Sequence, residues 1–480
     1  MNIHTHTKRS GLLTLLGLAA LLLGLLAFGR SSHAQGAPIT LDDRIELPSK
    51  TLDNGLEVIV IEDHSVPLIT IEIAVRNGAY TEPPEFNGLS HLYEHMFFKG
   101  NAAIPSQESY LARQRELGIV WNGTTSEERV NYFFTLGSDK IEQGVVFMKD
   151  AIRTPRFLEE ELVKERQVVI GELERNLSSP YFHLFRAVAD KLWWKFPTRK
   201  DTIGDRPTIE TATVEKMQIV QQKYYIPNNS LLILAGDVKP EEGFALAQKH
   251  FGDWERAADP FKLDPIPPHP PIQKTEAVIV NKKVQRITVQ IGWHGPSVSK
   301  DPAATYAADV FSFILGQENS AFHKALVDSG LTLGAGIGYY TLDKTGPITL
   351  SFAVTPDKLD AAVAAVTAEV RKFTDKDYFT DEQIETAKTL LAVDHIYGRE
   401  QTSAYAHTVS FWWAVAGLGY YTGYIDNLKK VTRNDMKRYV DAYIYGKPFV
   451  MGILVDDEIQ KQIGLTDKKA AEWAKPIKKR

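Results

Sequence analysis

The sequence predicts an α+β chain built from two homologous, α/β-sandwich-like domains, each a sheet with helices on one face. Three observations carry that reading. Apolar strand-like runs such as Val130 to Leu136 and Ile348 to Val354 interleave with helical stretches such as Ala361 to Phe373 and Asp381 to Ala392. A stretch at 259–273 holds Pro260, Pro265, Pro267, Pro268, Pro270 and Pro271, interrupts regular structure, and reads as a linker. Finally, Met217, Tyr224 and Asp237 recur as Met436, Tyr443 and Asp456 with the same separations, seven residues and then thirteen, which marks an internal repeat of about 220 residues.

In chain order, Lys8 and Arg9 precede an apolar run from Leu12 to Phe28, and Ser32-His33-Ala34 follows. This is the pattern of a secretory signal peptide over 1–34, cleaved after Ala34, and it places the protein in the periplasm or outside the cell; the competing reading is an uncleaved anchor. The first domain occupies 35–258, the linker 259–273 and the second domain 274–480. Each domain opens with an extended pair, Leu56 to Glu62 with Leu68 to Val75, and Ala277 to Asn281 with Ile287 to Trp293. Each closes with a helix running into an apolar strand that ends in Asp.

Composition narrows the function. The 480 residues are 44% hydrophobic and 24% charged, an ordinary globular balance. Removing 1–34 takes away Lys8, Arg9 and Arg30 and no acid, moving the formal charge from -5 to -8, which argues against nucleic acid as a partner. There is no cysteine, so disulfides, thiolate metal sites and a Cys nucleophile are excluded and any metal must be held by His and carboxylates. No second long apolar run follows the leader, so no membrane association is expected once it is removed.

The chemistry concentrates in Asn87-Gly-Leu-Ser-His-Leu-Tyr-Glu-His-Met-Phe-Phe-Lys-Gly100. Asn87 can cap a helix start and Gly100 can end it. His91 and His95 lie four residues apart on one helix face, about 6 Å between Cβ atoms, so two imidazoles can converge on one cation. Glu94 sits beside them. The other residues are largely apolar, and two histidines and a carboxylate in such surroundings need a partner or a metal. A third protein ligand is still required, with one coordination place left for water. The charged helical stretch Leu158 to Arg175 offers Glu165 and Glu172, seven residues apart and on the face of Val168 and Val169 that is expected to point inward. By spacing alone the two acids are equivalent candidates.

With these residues in view, the chain resembles the pitrilysin-type (inverzincin, H-x-x-E-H) zinc metallopeptidases, in particular bacterial two-domain members similar to mitochondrial processing peptidase subunits. The resemblance rests on His91-Leu-Tyr-Glu94-His95 with Met-Phe-Phe-Lys-Gly, on Glu165-Arg-Gln-Val-Val-Ile-Gly-Glu172, on Asn122-Gly-Thr-Thr, and on Tyr225-Ile-Pro-Asn-Asn with Ala235-Gly-Asp237. It implies one Zn2+ per chain, held by His91, His95 and Glu172, with Glu94 as catalytic base and Glu165 supporting a ligand. It also implies that Trp121, Asn122, Gly123, Thr124 and Thr125 form an edge strand to which an extended peptide adds, and that the two domains make half of a clam-shell chamber.

One departure bears on partners. Active relatives carry an Arg and a Tyr in the second domain that help hold the substrate carbonyl; here Val327 and Leu333 stand in those places. Nor is there a His or Glu between Ala307 and Gly316, the stretch matching the metal helix. The resemblance therefore implies a zinc-bearing subunit of a heterodimer whose related partner supplies the missing pair; the other reading is a homodimer with weak activity, or with Tyr339 or Tyr340 doing the missing job. A non-catalytic scaffold on the same fold would be marked by loss of the metal motif, and here every expected position is filled. The aromatic pairs Trp193-Trp194 and Trp412-Trp413 read as helix core, and the other histidines as structural or surface residues.

Overall fold

The computed structural model describes residues 45–479; the predicted signal peptide lies outside them. Strands β1 (Ser49–Thr51), β2 (Glu57–Glu62), β3 (Leu68–Val75), β4 (Val120–Thr125), β5 (Val130–Gly137) and β6 (Ser230–Gly236) form one sheet in the order β1-β2-β6-β3-β5-β4. Strands β7 (Glu276–Asn281), β8 (Ile287–His294), β9 (Gly334–Tyr339), β10 (Pro347–Val354) and β11 (Val450–Val455) form a second in the order β7-β11-β8-β10-β9. Leaving out β1, the two orders are the same, and the parallel pair β2–β6 recurs as β7–β11 among otherwise antiparallel neighbours. The repeat seen in Met217-Tyr224-Asp237 and Met436-Tyr443-Asp456 is the helix that enters the parallel strand: Val214–Tyr224 before β6, Arg433–Tyr443 before β11.

Alternation along each strand separates two faces. On β3, Ile69, Ile71, Ile73 and Val75 enter the first domain's own core, with Val58 and Val60 of β2 and Leu232 and Leu234 of β6. The intervening residues Ile59, Ala74, Leu231, Ile233 and Ala235 are also buried, under the helix Thr402–Val415 of the second half, through Tyr405, Val409 and Trp413. The arrangement is reciprocal. Helix Pro180–Leu192 of the first half lays Leu184, Val188 and Leu192 on Val450 and Leu454 of the second sheet. The approach is close enough that a Cβ at Gly452 would lie 2.5 Å from Val188 Cγ2, so only glycine fits there. Each sheet thus has its own helices on one face and a helix lent by the other half on its second face. This is why β6 reads as an unbroken apolar run rather than an alternating one. Among the aromatic pairs, Trp193 and Trp413 are buried, whereas Trp194 is exposed.

The stretch 259–273 contains one short helix, Pro260–Leu263, with Asp259 capping it, and is otherwise irregular. The proline at the first helical position costs nothing there, because that N–H has no partner in a helix.

The turn between β4 and β5 is a second join between the halves. Glu128 is buried and accepts from the backbone N–H groups of Asp343 (2.7 Å) and Lys344 (3.0 Å), while Glu127 accepts from the Tyr340 hydroxyl (3.1 Å). Burial raises the Glu128 carboxyl to about 8, against the opposing pull of those N–H groups. Its folded-state value therefore lies above the unfolded one, so the folded protein holds a proton that the unfolded chain releases. This costs stability as pH rises from about 4.5 to about 8, by up to roughly 1.4 kcal/mol per pH unit, and the cost is constant above that window. Thermal melts of Glu128→Gln and the unaltered chain should diverge across this range, the Gln variant losing less as pH rises; parallel curves would show that Glu128 does not titrate there.

Candidate active site

The helix Leu89–Phe97 runs beside β4 and across the long helix Glu159–Leu177. Its apolar side, with Leu89, Leu92, Tyr93, Met96 and Phe97, is fully packed into the first core. That packing leaves His91, Glu94 and His95 on the side facing the long helix and the edge strand.

His91 and His95 meet edge to face, ring centroids 4.9 Å apart. Glu172 Oε2 lies 3.6 Å from His91 Nε2 and 3.8 Å from His95 Nε2. These separations are too long for hydrogen bonds. They are close to the spacing of about 3.4 Å between neighbouring ligand atoms around a tetrahedral zinc. Among the described residues, this is the group of three whose ligand atoms gather as for a metal, all within 4.8 Å of one another. Burial drives the His91 imidazole down to about 3, so it stays neutral with a lone pair available, and its Nδ1 has no hydrogen-bond partner among the described residues. His95 moves the other way: burial alone would lower it, but the bond to Glu165 and the nearby Glu172 carboxylate raise it. The donor set, two imidazole nitrogens and one carboxylate oxygen, fits zinc.

Spacing left Glu165 and Glu172 equivalent; the structure puts them in different positions. Glu172 lies between the two Nε2 atoms, whereas Glu165 Oε2 faces His95 Nδ1 at 3.1 Å on the far side of that ring. Burial would raise the Glu165 carboxyl, but His95 and the buried Lys99, whose Nζ is 2.6 Å from Oε1, hold it below its usual range. The expected inward pair Val168 and Val169 is also divided. Val169 is in the core, whereas Val168 is 46% exposed on the open side next to Glu172, since successive helix residues turn by about 100°.

Glu94 sits under the edge strand. Thr125 Oγ1 donates to its Oε2 at 2.6 Å, and burial lifts the carboxyl to about 7 against that bond. Among the described residues strand β4 pairs only with β5, which leaves its outer edge open. Trp121, Gly123 and Thr125 face the His helix; the Trp121 ring lies tilted by 36° against Phe98, centroids 4.2 Å apart. Asn122 and Thr124 alternate to the other face, where Thr124 Oγ1 donates to Asn131 Oδ1 at 2.5 Å, while Asn122 Oδ1 accepts from the Gly123 N–H at 2.9 Å. At Gly123 a Cβ would lie 2.9 Å from Glu94 Cγ and 3.2 Å from the Asn131 carbonyl. Gly123→Ala should therefore displace Glu94 and lower peptide cleavage by about tenfold or more with metal content unchanged; unaltered turnover would mean Glu94 has room to spare.

Two residues that the sequence reading missed complete the site. The N-cap of the His helix is Gly88 in a left-handed conformation, with no side-chain cap, and Asn87 instead donates to Asp205 Oδ2 at 2.7 Å. Capping comes from the buried Glu82, which accepts from Gly88 N (2.8 Å) and Ser90 N (2.7 Å), a carboxylate at the positive end of the helix. The second is Lys99, for which a buried cation in Met-Phe-Phe-Lys was an available signal. The helix also ends at Phe97, earlier than Gly100. Other histidines take structural roles: His64 lies between Glu62 and Asp237, and His183 and His294 donate to the Leu177 and Leu192 carbonyls.

Residues 57–206 match the family model Insulinase (Peptidase family M16), and residues 211–391 match Peptidase M16 inactive domain. An uncharacterized zinc protease of Rickettsia felis is 24% identical over 356 residues, spanning 73% of this chain and 84% of its own. The crystal structure of a protease from Helicobacter pylori has a TM-score of 0.75 at 22% identity, covering 85% of this chain and 99% of that one. The periplasmic protease PqqL from Escherichia coli has a TM-score of 0.71 at 17% identity, covering 90% of this chain and 50% of its own. Two family models in tandem, a relative named as a zinc protease, and a fold shared along nearly the whole described chain place this protein in peptidase family M16, the pitrilysin type.

Proposed function

We propose that the chain is a zinc-dependent endopeptidase that cleaves unstructured peptides, with His91, His95 and Glu172 as metal ligands, Glu94 as catalytic base and Trp121 to Thr125 as the substrate strand. The observation that carries this is the gathering of three donor atoms within 4.8 Å beside a partly buried carboxylate and an open strand edge. An extended peptide adding to β4 would read backbone more than side chains. Zinc, when bound, supplies Lewis acidity that activates an attacking water and polarises the scissile carbonyl. Thr125 occupies Glu94 Oε2 and leaves Oε1 to take the proton of the attacking water and return it to the leaving amine. Glu165, fixed by Lys99, accepts from His95 Nδ1–H and so turns Nε2 toward Glu172.

The chain acts in the periplasm or outside the cell, as the zinc-bearing subunit of a heterodimer, in this reading; no helix among the described residues is long and apolar enough to cross a membrane. Its domains are 35–258, holding the metal, and 274–480, without one. Support for a partner comes from the second half: Leu333 is exposed and apolar where the family carries Tyr. The hydroxyls of Tyr339 and Tyr340 are already spent on the Pro296 carbonyl and on Glu127, so neither is a ready substitute. The test is metal content and cleavage of an unstructured peptide by the chain alone, then with a related chain that travels with it from its native compartment. One zinc per chain and turnover only with the partner are expected. Robust turnover alone would remove the heterodimer, and absence of zinc would overturn the enzymatic reading.

A further inference from the structure

Strand β4 poses a mechanical problem. Its outer edge must stay open for a peptide, so among the described residues only β5 holds it by backbone pairing, yet Gly123 and Thr125 must keep their places against Glu94. The first half solves this with help from the second. Three consecutive residues of the β4–β5 turn are committed to the other half: Glu127 to Tyr340, Glu128 to the Asp343 and Lys344 amides, and Arg129 to the helix Thr402–Val415.

Arg129 differs from its two neighbours because it also reaches back to β4. Its guanidinium is buried. Nη2 donates to Thr124 Oγ1 at 2.8 Å, while Nη1 donates to the His407 carbonyl at 2.9 Å and to Ser410 Oγ at 2.8 Å. Ser410 Oγ donates in turn to Glu72 Oε1 at 2.5 Å, the buried Glu72 also bonds His407 Nδ1, and Asn131 Nδ2 donates to the same Oε1 at 2.7 Å. Asn131 Oδ1 closes the loop by accepting from Thr124. A buried guanidinium and a buried carboxylate, each supplied with several hydrogen bonds, form a stiff charge-assisted network, and it terminates on the substrate strand.

We infer that Arg129 is a positioning residue through which the metal-free second half holds β4 in register with Glu94, so that the second half acts on substrate binding as well as enclosing it. This rests on the proposed peptidase reading for its kinetic consequence but not for its structural one. Removing the guanidinium takes from Thr124 its link to the second half, leaving its bond to Asn131, and loosens the strand edge without touching the metal ligands. The inference is tested with Arg129→Met and, from the other side of the join, Ser410→Ala, each compared with the unaltered chain in its active assembly. Zinc content should be unchanged, KM for an extended peptide should rise about tenfold or more for Arg129→Met and less for Ser410→Ala, and kcat should change little. Amide exchange of Asn122 to Thr125 should speed up in both variants while exchange of β3 and β6 does not.

A merely structural role would lower the melting temperature and leave KM and β4 exchange of the folded protein where they were. That result in both variants overturns the inference. Should Arg129→Met fail to fold, Ser410→Ala decides on the same two readings. If the unaltered chain cleaves nothing, the peptidase proposal fails separately, and the exchange measurement still judges the clamp.

Discussion

Glu94→Gln should lower kcat/KM for an unstructured peptide by about 10²- to 10⁴-fold, the range of a lost general base, while zinc content stays at one per chain. The amide has the shape of the carboxylate and can still accept from Thr125 Oγ1, which holds Oε2 at 2.6 Å. What it cannot do is take a proton. Among the described residues the Glu94 side chain accepts from no donor but Thr125, so folding should be little affected. Retention of activity near the unaltered level would show that another group takes the proton.

Glu172→Gln should act on the metal itself. Its Oε2 stands 3.6 and 3.8 Å from the two Nε2 atoms; replacing a charged oxygen by a neutral amide removes the one anionic ligand of the set. Competition with a chelator should give a loss of zinc affinity well beyond the roughly 10- to 100-fold typical when a group bonded to a ligand is removed. Glu165→Gln supplies that smaller case, since Glu165 touches His95 only through Nδ1. The order of the two losses is the informative result. Equal losses would mean that Glu165 and Glu172 share the metal, and a larger loss at Glu165 would reverse their roles.

The site was legible where its geometry is local. His91, Glu94 and His95 lie within one turn and a half of helix, where backbone periodicity alone places side chains together. The choice between Glu165 and Glu172 was not local. Both project from the long helix toward the His helix, and only the crossing of the two helices decides which reaches both Nε2 atoms; spacing carries no information about that crossing. Glu82 was harder still, because it caps the His helix from six residues upstream, across a short turn beginning at Pro84, a geometry no helix-start pattern describes. The repeat and the sheets were visible from alternation and from the recurring Met, Tyr and Asp. The exchange of helices Pro180–Leu192 and Thr402–Val415 between halves was not, because an apolar helix face does not name the sheet it covers. Yet that exchange brings His407 and Ser410 to Glu72 and Arg129, and so links the second half to strand β4.

Every residue role proposed above requires one zinc among His91, His95 and Glu172. Anomalous diffraction at the zinc edge, from crystals of the chain beginning at residue 35 and grown with zinc present, examines it directly. The expected result is a single strong peak about 2.0 to 2.2 Å from both Nε2 atoms and from a Glu172 oxygen. A site without a peak, or Glu172 turned away from the imidazoles with the metal bound elsewhere, would contradict it.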